Sequence, residues 1–376
     1  MSLRVIHVYK DYFPVLGGIE NHVRVLAEAQ AAAGLDVTVL VCHPEGRAGR
    51  ERLAGVEIIR AKRLATALSM PISVEQPRIL ARWRGDLIHV HSPYPLGEVG
   101  ALAGRHQARL VITHHADVIR QRTALRCYAP LLRRVLRSAD RIVATSPRYI
   151  TSSPWLEPVA DRCCVIPLGV DEQRFSPASG TAPAPWEFLF VGKLRHYKGL
   201  DVLLRALSGI PDAKLRVVGE GPMGSAWQAL AHDLGLSDRV RFEGRIADSE
   251  LAAAYREARI FVLPSTSRAE AFGTVLLEAM ASGLPCVTTE VGTGTSWVVR
   301  HGETGLVAAA DDVDALRGAL TSMLADDATA ATMGRAARRR IEEGFTERTM
   351  TARVLRLYEA LSRGAGQSQP GGRTPL

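Results

Sequence analysis

Short apolar runs alternate with amphipathic stretches along almost the whole chain. In the first half the runs cover residues 5–9, 37–42, 87–90, 110–113, 142–145 and 164–166. In the second they cover 188–191, 215–218, 240–242, 260–263 and 285–288. They are rich in Val, Ile and Leu without polar alternation, as strands buried on both faces are. Between them, residues 19–33, 199–207, 223–234 and 313–324 repeat apolar positions at helical spacing, and 347–361 reads as a final helix. Strands and helices alternating in this way predict parallel sheets covered by helices, a doubly wound α/β architecture.

One stretch breaks the alternation. Residues 176–185 read Ser-Pro-Ala-Ser-Gly-Thr-Ala-Pro-Ala-Pro, which suits neither a helix nor a central strand and reads as a linker. The expected organisation is a first Rossmann-like domain over 1–175, a linker over 176–186 and a second Rossmann-like domain over 187–345. A C-terminal helix over 346–363 would pack back on the first domain. Residues 364–376, rich in Gly, Pro, Ser and Gln, would form a disordered tail. Two such domains set the carboxyl ends of two sheets across a cleft. Ligands of this architecture bind at those strand ends, so the loops that follow strands are where chemistry is sought.

Composition narrows the picture. A length of 376 residues suits two domains. Hydrophobic residues at 47% and charged residues at 23% exclude a disordered, collagen-like or coiled-coil chain. No run of about 18 apolar residues suggests a transmembrane helix, and the N-terminus reads as a first core strand rather than a signal peptide. The five cysteines, Cys42, Cys127, Cys163, Cys164 and Cys286, are widely spaced and include no Cys-x-x-Cys. That argues against a disulfide framework or a zinc site and for a reducing cytosol, with the cysteines serving as small buried apolar groups. The net charge is +8, and apart from Lys10, Lys62, Lys193, Lys198 and Lys214 every cationic Lys/Arg position is arginine. Such a balance suits nucleic acid, anionic lipid or phosphorylated small molecules and does not choose among them.

Three loops carry candidate chemistry. Tyr12-Phe13-Pro14-Val15-Leu16-Gly17-Gly18-Ile19-Glu20 follows the first strand and opens a helix. Gly17 and Gly18 would let backbone approach a ligand beside free helical N–H groups, although a plain strand-to-helix turn reads the same way. There is no Gly-x-Gly-x-x-Gly fingerprint. Next, Phe190-Val191-Gly192-Lys193-Leu194-Arg195-His196-Tyr197-Lys198-Gly199 ends a strand and then places three Lys/Arg cations before a helix. Fixed charge and many donors suit a diphosphate, the alternative being a solvated basic loop. Lastly, Glu270-Ala271-Phe272-Gly273-Thr274-Val275-Leu276-Leu277-Glu278 places two carboxylates around a helix N-terminus. The N–H groups at Gly273 and Thr274 can hold phosphate, and each carboxylate can accept from vicinal hydroxyls. Two surface glutamates are the plain alternative.

Taken together, the Glu-x7-Glu element and the upstream Gly-Lys-Leu-x3-Lys-Gly loop resemble the retaining glycosyltransferases of family 4, which have the GT-B fold. Val218-Gly219-Glu220-Gly221-Pro222, Ala279-Met280-Ala281-Ser282-Gly283-Leu284-Pro285-Cys286-Val287 and Gly302-Glu303-Thr304-Gly305-Leu306-Val307 fit the same pattern. The resemblance spans residues 3–361. The opening Val8-Tyr9-Lys10-Asp11-Tyr12-Phe13-Pro14 is similar to mannosyl- and rhamnosyltransferases of bacterial O-antigen synthesis. The resemblance implies that Glu270 holds donor-sugar hydroxyls, helped by the backbone of Phe272 and Gly273. It implies that Glu278 takes the ribose hydroxyls, while Lys193 and Lys198 neutralise the diphosphate. Gly17, Gly18, Gly192, Gly219, Thr274 and Val275 would complete the donor side. Lys193 departs from the family's usual arginine, keeping charge and losing the bidentate fork.

In the first domain, Thr113-His114-His115-Ala116-Asp117 follows a strand. The resemblance gives His115 a donor-sugar contact. Asp117 is a candidate for orienting acceptor or sugar, and His91, at the end of another strand, for lining the acceptor side or serving as a structural histidine. No metal is expected. Asp312-Val313-Asp314 matches a metal-binding Asp-x-Asp only formally and sits where acidic residues cap a helix, and the sequence shows no His/Cys cluster. The reaction implied is transfer of mannose or rhamnose from a nucleotide diphosphate sugar, GDP-linked in the leading reading. Configuration would be retained, and the acceptor would be a glycan or polyprenyl-linked glycan. A UDP-hexose donor, a UDP-GlcNAc 2-epimerase and a non-catalytic carbohydrate-binding relic are the rivals.

Residues 120–141 hold Arg120, Arg122, Arg126, Arg133, Arg134, Arg137 and Arg141 interleaved with Leu125, Tyr128, Leu131, Leu132, Val135 and Leu136. This reads either as a basic amphipathic helix lying on anionic lipid or as a solvated face on the core. The expected location is the cytoplasm, with peripheral contact at the inner face of the membrane. Nucleic acid is not expected, since no aromatic platform accompanies the arginines.

Overall fold

A computed structural model describes residues 2–15, 17–67, 70–105, 108–117, 122–177 and 186–365. The chain divides into two compact units. The first comprises Met1–Ala144, Pro154–Ile166 and Met350–Leu376. Its strands are β1 (Arg4–Val8), β2 (Asp36–Cys42), β3 (Gly49–Leu53), β4 (Val56–Ala61), β5 (Ala65–Ala67), β6 (Met70–Ile72), β7 (Leu87–Ser92), β8 (Arg109–His114), β9 (Arg141–Ala144) and β10 (Cys163–Val165). Eight of them form one sheet in the order β10-β9-β8-β7-β1-β2-β4-β3, and β5 pairs with β6. All neighbours in the large sheet run parallel except β3 with β4. The helices here are α1 (Gly18–Ala32), α2 (Glu75–Arg82), α3 (Pro95–Gly104) and α4 (Arg122–Ser138). Strand interiors such as Ile6, Leu40, Ile88, Val111 and Ile142 are fully buried, as unalternating apolar runs require.

The second unit comprises Thr145–Ser153 and Pro167–Thr349. It contains β11 (Trp186–Val191), β12 (Leu215–Val218), β13 (Val240–Gly244), β14 (Ala258–Leu263), β15 (Cys286–Glu290) and β16 (Gly305–Ala309). The order is β13-β12-β11-β14-β15-β16, parallel throughout. Its helices are α5 (Pro147–Ser152), α6 (Leu200–Ser208), α7 (Gly224–Asp233), α8 (Asp248–Arg256), α9 (Thr274–Ala281), α10 (Thr295–Val298), α11 (Val313–Ala325) and α12 (Asp327–Gly344). The last helix, α13 (Glu347–Ala365), places Met350, Val354 and Tyr358 in the first unit's core beside Val5, Leu26 and Val143.

The division differs from the expected boundary at residue 175. Residues 167–177 stay with the second unit because Val170 donates to Phe345 O at 2.9 Å and accepts from Glu347 N at 3.1 Å. Phe175 also meets the Tyr255 ring edge-on at 5.7 Å. Residues 145–153 join the same unit, with Arg148 hydrogen-bonded to Glu290 and Ser152 Oγ donating to Gly292 O at 2.7 Å. Of the expected linker, 178–185 lie outside the described residues, and Trp186 already opens β11. The expected tail from 366 on also lies outside them, and the last helix runs to Ala365 rather than ending at 363.

Each sheet has one point where the strand order reverses. In the first unit β1 pairs with β2 on one side and β7 on the other; in the second, β11 lies between β12 and β14. Ligand crevices of doubly wound sheets open at such points, at the carboxyl ends of the strands.

Candidate functional site

In the second unit, two of the predicted loops meet at the reversal point. Gly192 follows β11 with φ +155°, and the Lys193–Gly199 loop comes next. The loop after β14 lies against it. Thr266 N donates to Tyr197 O at 2.8 Å, and a Cβ on Gly199 would come within 2.1 Å of Pro264 O. Gly199 itself has φ +66°, so glycine is required for the close approach of the two backbones. Gly219, with φ +129°, approaches Gly192 in the same way, its added Cβ falling 2.0 Å from Gly192 O.

This packing buries Lys198, 7% exposed, against Glu270, also 7% exposed. Lys198 Nζ donates to Glu270 Oε2 at 2.5 Å, and Ser265 Oγ donates to the same oxygen at 3.2 Å. Burial disfavours the ammonium, but the Glu270 carboxylate outweighs it and holds the Lys198 pKa above its ordinary value. Both contacts fall on Oε2, so Oε1 retains its lone pairs. Lys193 is exposed and has no ion-pair partner among the described residues.

Gly273, at φ +80°, caps α9 without a side-chain hydrogen bond. Among the described residues, the amides of Phe272, Gly273, Thr274 and Val275 have no hydrogen-bond partner. These four N–H groups and the helix dipole offer an anion site next to the Lys198–Glu270 pair. One and a half turns on, Glu278 accepts from Tyr255 OH at 2.7 Å. Burial raises its pKa to about 7, a shift that the Tyr255 hydrogen bond opposes. The arrangement holds, in sequence, a carboxylate with free acceptor capacity, a cation, a row of amides and a second carboxylate.

In the first unit His91 lies within β7 and His115 opens the loop after β8. His91 is fully buried and His115 is 5% exposed. They join His7, His89 and the partly buried His22 in one cluster around the β1/β7 reversal point. Register places His7 opposite His89. His91 Nδ1 lies 3.1 Å from His115 Nε2, His91 Nε2 lies 3.0 Å from His7 Nδ1, and His7 Nε2 lies 2.7 Å from Gln30 Oε1. His89 is held by Tyr358 OH at 2.5 Å and Thr113 Oγ1 at 2.7 Å. Desolvation lowers the pKa of all five, His7 to about 4 and His22 to about 3.

The match to known families follows this geometry. Residues 16–174 match the model of glycosyltransferase family 4, and residues 171–340 that of glycosyl transferases group 1. The chain is a family 4 glycosyltransferase. It is 34% identical to an O-antigen chain mannosyltransferase of Escherichia coli, over 96% of this chain and 99% of that one. It is 37% identical to a D-rhamnosyltransferase of Pseudomonas aeruginosa, over 92% of each. A solved sucrose-phosphate synthase from Thermosynechococcus elongatus superposes with a TM-score of 0.79 at 26% identity, covering 96% of this chain and all of that one. The fold is GT-B, as the loop motifs implied.

Two expectations are resolved for this glycosyltransferase. Of the two readings of His91, the structural one fits, since the ring is fully buried and both its nitrogens have partners inside the cluster. His115 joins the cluster through Nε2, and Asp117 pairs with His114 at 3.0 Å. The expectation that the chain has no His/Cys cluster fails: five histidines far apart in sequence converge because adjacent parallel strands and α1 share one face. The signal was present in Ile88-His89-Val90-His91, where alternate histidines interrupt a strand buried on both faces.

The arginine helix fits its reading as a solvated face on the core. Leu132, Val135 and Leu136 are buried, so the described part of the apolar stripe of α4 is used in the core, while Arg126, Arg133, Arg134 and Arg137 are exposed. Arg120 lies outside the described residues, as do the side chains of 122–125 and 127. No helix among the described residues is long and apolar enough to cross a membrane. Asp312 caps α11 by accepting from Ala315 N at 2.9 Å, and Asp314 pairs with Arg317. Cys42 and Cys286 are buried free thiols.

Proposed function

We propose that the protein transfers mannose or rhamnose from a nucleotide diphosphate sugar, GDP-linked, to a growing cell-surface glycan, free or polyprenyl-linked. The buried Lys198–Glu270 pair beside the unpartnered amides of α9 carries this reading. Glu270 Oε1 accepts from sugar hydroxyls. The amides of Gly273, Thr274 and Val275 and the charges of Lys193 and Lys198 take the diphosphate, so no metal is needed there. Glu278 accepts from the ribose diol. The mannosyl- and rhamnosyltransferase relatives support the choice of sugar.

In the transfer, the bond from the sugar C1 to the phosphate oxygen breaks as the acceptor oxygen forms its bond to C1. The acceptor proton passes to the departing phosphate oxygen. Negative charge grows on the leaving diphosphate, and preorganised cations and N–H groups stabilise it most in the transition state. No carboxylate is needed as a nucleophile, and configuration is retained by attack on the face the phosphate leaves. Peripheral contact with anionic lipid through the exposed arginines of α4 would bring a lipid-linked acceptor close.

A thermal-shift screen with GDP, UDP, ADP and dTDP tests the donor. A nucleotide at 100 times its Kd adds about 2.7 kcal/mol of stability. The expected result is a shift selective for GDP and lost in Glu278→Ala. A UDP-selective shift would move the donor to a UDP-hexose and reopen the epimerase; no shift at all would overturn the site.

A further inference from the structure

We propose that His22, His91 and His115 form a binding site for one divalent transition-metal ion, zinc by its chemistry, that ties the start of α1 to the ends of β7 and β8. One ligand nitrogen from each of the three lies within 4.8 Å of the others. Zinc–nitrogen bonds of about 2.0–2.1 Å set tetrahedral ligand atoms about 3.4 Å apart. The 3.1 Å between His91 Nδ1 and His115 Nε2 is already close to that.

Hydrogen bonding selects this trio over its overlapping neighbour. His7, His89 and His91 also bring nitrogens together, but every ring nitrogen of that trio already has a partner, whereas the trio with His22 includes one that has none; the ion would replace the His91 Nδ1–His115 Nε2 contact. His22 Nε2 differs: it is buried and has no hydrogen-bond partner. A buried polar atom left unsatisfied is costly, and the nitrogen's lone pair is what a metal takes.

The surroundings suit a ligand set. Gln30 Oε1 can only accept, so His7 Nε2 donates to it and His7 Nδ1 receives the proton of His91 Nε2. That leaves His91 Nδ1 with the lone pair, which accepts from His115 Nε2 in the ion-free protein and passes to the ion once His115 carries its proton on Nδ1. Outer partners of this kind orient metal-bound imidazoles, and removing them typically weakens binding about 10–100-fold. The neutral imidazole is the form that coordinates. Three imidazoles suit zinc, with nickel and copper as weaker candidates on availability. The ion would stiffen the turn at Gly17 and Gly18, and no step of sugar transfer passes through it. The inference is independent of the donor assignment.

The test is metal content of tag-free protein after equilibration with zinc sulfate and gel filtration, read by plasma mass spectrometry. About one zinc per chain is expected, with the cobalt-loaded protein showing the visible absorption of a tetrahedral site. His22→Ala and His22→Gln should each lose the ion, and His7→Phe should weaken zinc about 10–100-fold. The exposed control His232→Ala should keep it. If the histidine variants do not fold, a rise in wild-type Tm on adding zinc, reversed by a chelator, is the deciding reading. Zinc well below one per chain in folded wild type, retention in His22→Gln, or no Tm response overturns the proposal.

Discussion

The two reversal points use polar groups in opposite ways. Between β11 and β14, Lys198 and Glu270 form a buried ion pair with capacity left over: Glu270 Oε1, the exposed Lys193 and four free amides. Between β1 and β7, the imidazoles of His7, His89 and His91 use both ring nitrogens on one another and on protein partners, and His22 Nε2 is the cluster's buried ring nitrogen without a partner among the described residues. One topology thus supports a polar cluster open to a ligand and another turned inward. Burial alone does not separate them, since Glu270 and His115 are about equally hidden. What separates them is unused hydrogen-bonding capacity.

The strongest way to break this comparison is to remove the charge from the open cluster. Lys198→Ala should lower kcat about 10²–10³-fold, the size expected for loss of one group that stabilises developing negative charge. Glu270→Gln should lose activity comparably and also destabilise the second unit. With its carboxylate partner gone, the buried Lys198 ammonium loses the nearest charge that offsets its desolvation, which costs about 3–5 kcal/mol. Steady-state kinetics with donor and acceptor, paired with chemical denaturation, read both. Near-normal kcat in Lys198→Ala would remove the leaving-group role.

The next effect is pH, and the two units should respond with opposite signs. The folded pKa values of His7 and His22 lie near 4 and 3, below the ordinary 6.5. Unfolded chain therefore binds more protons between those values, and the first unit loses stability as pH falls from about 6.5 toward 4. Each pH unit separating the folded and unfolded pKa of a group is worth about 1.36 kcal/mol. Glu278 is raised from 4.5 to about 7. Its contribution is fully present below pH 4.5 and is lost as pH rises through 7, while its carboxylate becomes the better acceptor for ribose hydroxyls. Hydrogen exchange on chelator-treated protein at pH 5 and 8 checks this. At pH 5 protection should fall in β1, β7 and β8 before β11 and β14. Nucleotide should bind more tightly at pH 8 in wild type, and Glu278→Gln should flatten that trend. Uniform loss of protection in both sheets at pH 5 would contradict the sign argument.

The sequence reveals the open cluster more fully than the closed one, for a physical reason. Lys198, Glu270 and Glu278 sit in loops and a helix start, where a charge interrupts no periodicity and local spacing carries the signal. The histidine cluster is tertiary: His7, His22, His89, His91 and His115 meet only after β1, β7 and α1 have packed, and linear spacing does not record strand order. The same limit hid β3 and β4. Gly49–Leu53 is a fully exposed, polar edge strand, and Val56–Ala61 is recognised as a strand only once it pairs with β2. The apolar strands and long helices, by contrast, were legible within a few residues, because burial on both faces leaves its mark directly in composition. The arginine helix was legible as amphipathic, but the sequence could not say whether its apolar stripe faced lipid or core.

A smaller effect sharpens the view that glycine lets the two loops of the open cluster meet. Gly199→Ala would force φ +66° on a residue with a Cβ and press that atom against Pro264 O. The expected cost is about 1–3 kcal/mol, with a drop in nucleotide affinity because Lys198 shifts with the loop. Gly18→Ala at the start of α1 is the counterpart, since its added Cβ meets nothing within 4 Å. It should leave stability nearly unchanged. Equal losses in the two variants would show that close packing of the loops is not what Gly199 provides.

The smallest effect comes from the one acidic pair in the second unit that imitates a metal motif. Asp312 Oδ1 accepts from Ala315 N and Asp314 is paired with Arg317, so the two carboxylates serve separate local partners at the start of α11. Asp312→Ala removes a helix cap and should cost about 1 kcal/mol of stability. Asp314→Ala removes an exposed i,i+3 pair and should cost a few tenths of a kcal/mol. If these are only helix-end interactions, kcat should be unchanged in both variants, with magnesium or with chelator. A loss of turnover that magnesium restores would place a metal ion in the second unit. The diphosphate would then no longer depend on Lys193, Lys198 and the α9 amides alone, and the contrast between an open charged cluster and an inward histidine cluster would have to be redrawn.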